Sequence, residues 1–124
     1  MWLADSNIII CAATVPGHPL QNWLLDELPA ISVVTRIEVL GYHRLRPDEE
    51  ILLRALLSSL DEHPITARTA VLAIALRQQR KISLGDSLIA ATCLEHGLQL
   101  ATHNASDFNW IPGLGVDPLD SFSA

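Results

Sequence analysis

The chain alternates short continuous apolar runs with longer stretches in which apolar residues recur every three or four positions. Met1-Trp2-Leu3-Ala4 is the first run and reads as a short buried strand. Asp5-Ser6-Asn7 interrupts it, with Ser6 or Asn7 placed to cap an apolar helix from Ile8 to Ala13. Pro16-Gly17 stops that helix. A second is predicted from His18 to Leu28, on the spacing of Leu20, Trp23, Leu24 and Leu28, and Pro29 ends it. Ala30 to Val34 is rich in β-branched residues and reads as a second strand. Thr35 follows as a cap and forms a T-x-x-E capping box with Glu38.

Pro47 and three acids, Asp48 to Glu50, suit the first turn of the next helix. Leu52, Leu53, Leu56, Leu57 and Leu60 supply its apolar face. His63-Pro64-Ile65 reads as a short strand or connector, and Thr66 caps a long helix through about Gln79. Ile82-Ser83-Leu84-Gly85 breaks the pattern. Asp86 then begins a helix to His96, with Gly97 as its left-handed cap. Leu98 to Thr102 is a strand, Asn104 to Asn109 a polar loop, and Val116 lies in a last short strand. Residues 117–124 are expected to form a loosely held tail.

Strands alternating with helices imply an α/β fold, a mostly parallel sheet with helices on both faces. The two consecutive helices before the fourth strand depart from plain alternation. The 124 residues, 49% of them apolar, fit one domain spanning 1–124 with ample core. No run approaches the ~18 continuous apolar residues of a membrane helix. A basic segment followed by a cleavable apolar stretch is not seen at the start, so cytoplasmic residence and no membrane partner are expected. Cys11 and Cys93 sit in apolar helical runs and read as small core residues, not a disulfide framework.

The chemistry is carried by acids. Asp5 ends the first strand, Glu38 follows the second, Asp86 opens a helix and Asp107 lies just past the strand at 98–102. In α/β folds ligands bind outside the carboxyl ends of parallel strands. Acids so placed meet at one edge of the sheet, and repel unless protons or a cation neutralise them. Magnesium or manganese, which prefer oxygen ligands, is the natural candidate. Singly, each acid has an ordinary structural reading: Asp5 and Asp86 as caps, Glu38 in the capping box, Asp107 in an Asx turn. Their shared placement favours the functional one.

The formal net charge of −6 argues against a protein that coats nucleic acid by charge alone. It does not exclude a nuclease. Arg36, Arg44 and Arg46 form one local basic group that could hold phosphates and Arg77, Arg80 and Lys81 another; the plainer reading of both is a solvated helix face, more so for the second. The five histidines show no zinc-like spacing; only His103 falls near the acids. Neither a Gly-x-Ser-x-Gly segment nor a phosphate-cradling glycine loop is present. A phosphatase with an Asp-x-Asp motif would need an acid where Asn7 stands. A phospho-acceptor domain would need a lysine after its last main strand, and the only lysine is Lys81.

Four segments in register resemble the PIN-domain ribonucleases, specifically the VapC-like toxins of toxin–antitoxin pairs. They are LADSNIII, ISVVTRIEVLGY, GDSLIAATCLEHGLQLATHNASDF and IPGLGV, and they cover nearly the whole chain. The resemblance implies a PIN-like three-layer α/β/α fold with a short central sheet. It also implies that Asp5, Asp86 and Glu38 hold a metal, with Ser6 or Thr35 as nearby hydroxyls. The fourth acidic position departs from the family pattern: Asn104 stands where some relatives carry an aspartate, and His103 where arginine is usual. Asp107 of the Asp-Phe pair is the other candidate.

The implied activity is endoribonuclease cleavage of single-stranded or looped RNA by metal-activated water, leaving 5′-phosphate and 3′-hydroxyl ends. The target would be a transfer, ribosomal or messenger RNA. A cognate antitoxin and a homodimer are the implied partners, with Trp23 and Leu24 as candidates to receive the antitoxin or, equally, as core. The alternative is a degenerate PIN domain that binds RNA or a protein without cutting, which Asn104 favours.

Overall fold

Five very short strands, every pair parallel, run through the centre of the molecule. The computed structural model describes residues 1–122. In chain order the elements are β1 (Trp2–Ala4), α1 (Ser6–Thr14), α2 (Leu20–Glu27), β2 (Ile31–Ser32), α3 (Val33–Leu40) and α4 (Pro47–Ser58). Then come β3 (Glu62–His63), α5 (Ala67–Gln79), α6 (Leu84–His96), β4 (Gln99–Ala101) and β5 (Val116–Asp117). Single 3-10 turns occupy Ala105–Asp107 and Asp120–Phe122.

β1 pairs with β4 and β4 with β5, while β2 pairs with β3. One bridge, Leu3 to Ala30, joins the two ladders in the order β3-β2-β1-β4-β5. Two bonds make this seam: Ala4 N–H to Ala30 O at 3.0 Å and Ala30 N–H to Trp2 O at 2.8 Å.

Successive strand residues face opposite sides of a sheet, and the core divides accordingly. Ala4, Ile31 and Ala101 face one cluster, built with Ile8, Leu24 and Leu53 of α1, α2 and α4. Leu3, Ala30 and Leu100 face the other, built with Leu76, Ile89 and Phe108 from α5, α6 and the 3-10 turn. Helices therefore cover both faces, the three-layer arrangement expected. Phe108 is fully buried. Burial of such a side chain contributes about 1.5–3 kcal/mol, and it fastens the turn that carries Asp107 to the second core.

Several local expectations are corrected by a hydroxyl acting one turn earlier than expected. α3 begins at Val33, because the Ser32 hydroxyl accepts from Val34 N–H at 3.1 Å. Thr35 therefore lies inside the helix, fully buried, and the Thr35–Glu38 capping box does not form. α6 likewise begins at Leu84, capped by Ser83, whose hydroxyl accepts from Asp86 N–H at 3.1 Å. Asp86 is thus in the first turn and does not start the helix. Asp5, not Ser6 or Asn7, caps α1. Thr66 caps α5 as expected, and Gly97 closes α6 in the left-handed conformation.

Trp23 and Leu24, weighed as exposed docking residues, are both buried, Trp23 edge-on against Trp2. Where the tail was expected to be loose, Leu119 is buried and Asp117 pairs in β5. The remainder of that expectation, residues 123–124, lies outside the described residues. Cys11 is half-buried and Cys93 buried, neither in a disulfide. No helix among the described residues is long and apolar enough to cross a membrane.

Candidate active site

The chain winds outward from β1 through β2 to β3, then returns to the far side of β1 as β4. This reversal makes the carboxyl end of β1 a topological switch point, where open α/β sheets form their ligand crevice. Asp5 is the first residue past that end. Its N–H bonds Ala101 O at 3.0 Å, continuing the β1–β4 ladder. One carboxylate oxygen accepts from Ser6 N–H at 2.8 Å, and the other accepts from the Thr102 hydroxyl at 2.8 Å. Asp5 is only 7% exposed, so these two bonds fix its orientation.

The other acids arrive from three further elements. Glu38 lies on the exposed face of α3 and accepts from the Ser6 hydroxyl at 3.0 Å. Its other oxygen stands 3.5 Å from where a side chain at Gly85 would begin, which marks the close approach of α3 to the start of α6. Asp86 occupies the first turn of α6, half-buried. Asp107 sits exposed in the 3-10 turn held down by Phe108. Asp86 and Asp107 line a cleft of ≈ 320 Å³ together with Ser83, Ser106, Arg80, Lys81, Ile82 and Trp110.

Burial raises the pKa of Asp86 above the ordinary carboxylate value, and the charge of Asp5 raises it further. Asp107 and Glu38 push the same way, while the Ser83 hydrogen bond pulls it back. One carboxyl group thus feels all three of the other acids. Among the described residues no Lys, Arg or His makes an ion pair with any of the four. Asp5 also acts on Cys93, whose thiol is pushed up to about 12, chiefly by burial. That thiol is inert at neutral pH.

Among the described residues, no three His, Cys, Asp or Glu side chains stand close enough to grip an ion as they are placed. The donor set nevertheless suits a hard divalent cation. It is all oxygen, it lacks a counter-charge, and two buried oxygens, Asn7 Oδ1 and Thr35 Oγ1, have no protein partner. Asn7 is two residues from Asp5, and Thr35 is one helical turn before Glu38. A cation that retains part of its water shell suits such wide spacing better than one held by a closed protein cage.

The remaining sequence candidates separate clearly. Ser6 links Asp5 and Glu38. Asn104 is exposed and contributes through its backbone, donating to the Thr102 hydroxyl at 3.0 Å. His103 is half-buried, and its Nε2 has no protein partner. Arg36 forms a two-pronged pair with Glu62 at 2.6 and 3.1 Å, and Arg46 pairs with Asp48 and Glu49. Arg77 donates to Ile82 O at 2.9 Å and so pins the connector before α6.

Two hydroxyls escaped the sequence reading. Thr102 was visible only as the end of a strand, and its role follows from the register that sets β4 beside β1. Ser83 lay in a segment read as a break. Asp117 provides a useful contrast, since it also ends a strand. Its carboxylate accepts from Leu119 N–H at 2.8 Å, and the residue serves that turn.

The molecule is therefore a three-layer α/β domain whose switch point carries several acids without counter-charge. The PIN domain family matches over residues 3–113, and the chain belongs to that family. It is 37% identical to Ribonuclease VapC10 of Mycobacterium tuberculosis over 118 residues, 87% of this chain and 86% of that protein. A toxin–antitoxin complex from Klebsiella pneumoniae contains a chain that is 34% identical, with a TM-score of 0.76; the match covers 95% of this chain and 98% of that one. VapBC2 of Rickettsia felis, bound to a promoter DNA fragment, matches with a TM-score of 0.82 over 94% of this chain and 96% of that one. At 22% identity it bears on the fold alone.

Proposed function

We propose that this chain is the toxin of a VapBC-type pair, an endoribonuclease that cuts single-stranded or looped RNA with magnesium or manganese. The ribonuclease activity and the antitoxin partner follow from the similarity to Ribonuclease VapC10 and to the Klebsiella toxin–antitoxin complex. The observation that carries the catalytic reading is Asp86, a half-buried carboxyl that feels three other acids and has no cationic partner among the described residues. Such an arrangement costs stability and persists where a site requires it.

Asp5, Asp86 and Glu38 would hold the ion, which supplies a water of lowered pKa and polarises the scissile phosphate. Thr102 and the Ser6 N–H hold the Asp5 carboxylate in one orientation, so it enters the site preorganised. Ser6 does the same for Glu38 through its hydroxyl. Asp107, on the turn anchored by Phe108, would orient water on the cleft side. The substrate is a transfer, ribosomal or messenger RNA, and the working compartment is the cytoplasm.

The test is cleavage of a single-stranded RNA by purified protein, with manganese or magnesium and with chelator. Asp5→Asn should abolish metal-dependent cleavage and leave the fold intact. Full activity in that variant, or activity indifferent to chelator, would overturn the proposal. The second reading, a PIN domain that binds without cutting, draws on Asn104 standing exposed where an acid is needed. It predicts RNA or partner binding with no metal-dependent product in the same assay.

A further inference from the structure

The cleft beside the acids poses a charge problem. A chain of net charge −6 must bring a phosphodiester against Asp86 and Asp107. Long-range attraction cannot do this, so cations have to act locally. Two are present at the cleft wall, Arg80 and Lys81, both exposed. Neither makes an ion pair with a carboxylate among the described residues, although Asp86 and Asp107 line the same cleft. Arg80 lies instead over the ring of Trp110, 5.4 Å from its centroid. Trp110 is tied in turn to the acid-bearing turn, its indole N–H donating to Asp107 O at 3.0 Å.

The geometry points to an RNA-binding subsite at this wall: Arg80 and Lys81 take a phosphate neighbouring the scissile one, and Trp110 with the Arg80 guanidinium offers a flat surface for an unstacked base. The inference rests on the ribonuclease reading and deepens it by naming how substrate is held. Three features carry it. The connector that begins at the extended Arg80 is pinned by Arg77 at Ile82 O, so the two cations flank a fixed point. The Trp110–Asp107 bond fixes the ring relative to a site acid. Aromatic and guanidinium planes both stack on bases, and this is sequence-tolerant because every base has a π-face. Cations bind the phosphate while acids bind the metal, so the substrate bridges two groups of opposite charge that do not neutralise each other.

The experiment uses the non-cleaving Asp5→Asn protein and a single-stranded oligoribonucleotide, read by tryptophan emission. Trp23 is buried and the half-buried Trp2 packs edge-on against it, so the RNA-dependent change should come from Trp110 and vanish in Trp110→Phe. Arg80→Ala with Lys81→Ala should weaken binding by about tenfold and make it less salt-dependent, by about 0.7 of a unit of log–log slope for each phosphate no longer held. In the cleaving protein the same pair should raise KM with kcat nearly unchanged. Read instead by the anisotropy of a fluorescein-labelled oligoribonucleotide, Trp110→Ala should weaken binding by about fivefold or more, as expected for removal of one base stack, with partial recovery in Trp110→Phe.

Unchanged affinity and salt slope in the double variant, with wild-type cleavage intact, would overturn the subsite and leave the ribonuclease reading standing. An Asp5→Asn protein that captures RNA equally well through a different tryptophan signal would also overturn it. If wild-type protein neither binds nor cuts RNA but this wall binds a protein partner, both proposals fall.

Discussion

Helix α6 carries two acids whose surroundings are opposite in kind. Asp86, in the first turn, is half-buried among acids, and its pKa is raised by burial and then by Asp5. Glu95, near the other end, accepts from the Thr69 and Thr66 hydroxyls, and its pKa is lowered, first by Thr69. The helix dipole favours a negative charge at the start and disfavours one at the end. Both shifts run against that expectation, so local partners decide. Glu95 is an acid that the fold satisfies. Asp86 is an acid whose Ser83 hydrogen bond is outweighed by burial and by three other acids, and the difference separates a structural carboxylate from a candidate functional one.

The largest expected effect breaks the comparison at the level of activity. Asp86→Asn should lower metal-dependent RNA cleavage by more than about 100-fold, beyond what losing an outer partner of a metal costs. Glu95→Gln should stay within about twofold, since Glu95 meets Thr66, Thr69 and His96 and feels the charge of Arg68, away from the acid cleft. Equal losses in the two variants would erase the distinction. A second test uses thermal unfolding. Manganese at about 100 times its dissociation constant should stabilise the wild-type protein by about 2.7 kcal/mol, and should do little for Asp86→Asn. A metal shift unchanged in the variant would place the ion elsewhere.

Smaller effects sharpen the contrast. Thr66→Ala removes the cap of α5 and should cost about 1 kcal/mol in denaturant unfolding, leaving cleavage unchanged below the transition. Loss of cleavage there would mean that Glu95 communicates with the site. The pH dependence in chelator should show opposite signs. The raised Asp86 pKa favours the protonated folded state, so its contribution is fully present below the unfolded value and is lost as pH rises through the folded one. The depressed Glu95 pKa contributes above the unfolded value and is lost as pH falls through the folded one. Asp86→Asn should remove the first trend and Glu95→Gln the second.

The fold was legible because its signals are periodic. β1 and β4 are continuous apolar runs, α4 repeats its leucines, and α1, α3, α5 and α6 each start at a small polar cap. What misled the reading was which polar residue acts. At Ser32-Val33-Val34-Thr35, two hydroxyls could cap one helix; Ser32 does so, and Thr35 lies buried one turn inside it. The same ambiguity hid Ser83 behind an apparent break. Candidate acids were legible from their position after strands, yet Asp117 satisfies that rule and serves a turn. Thr102 was not legible at all, because its partnership with Asp5 depends on long-range register and spans 97 positions.

The sheet is assembled out of chain order, and this has a consequence for synthesis. β1 emerges from the ribosome long before β4, which is followed directly by Thr102, and Asp107 comes later still. No nascent fragment ending before β4 contains the Asp5–Thr102 hydrogen bond, whatever helices it has already formed. A pairing so distant in sequence also carries a high loop-closure cost and closes late in folding. Until β4 and the residue after it have been made, Asp5 stands at the end of β1 without the hydroxyl that orients it.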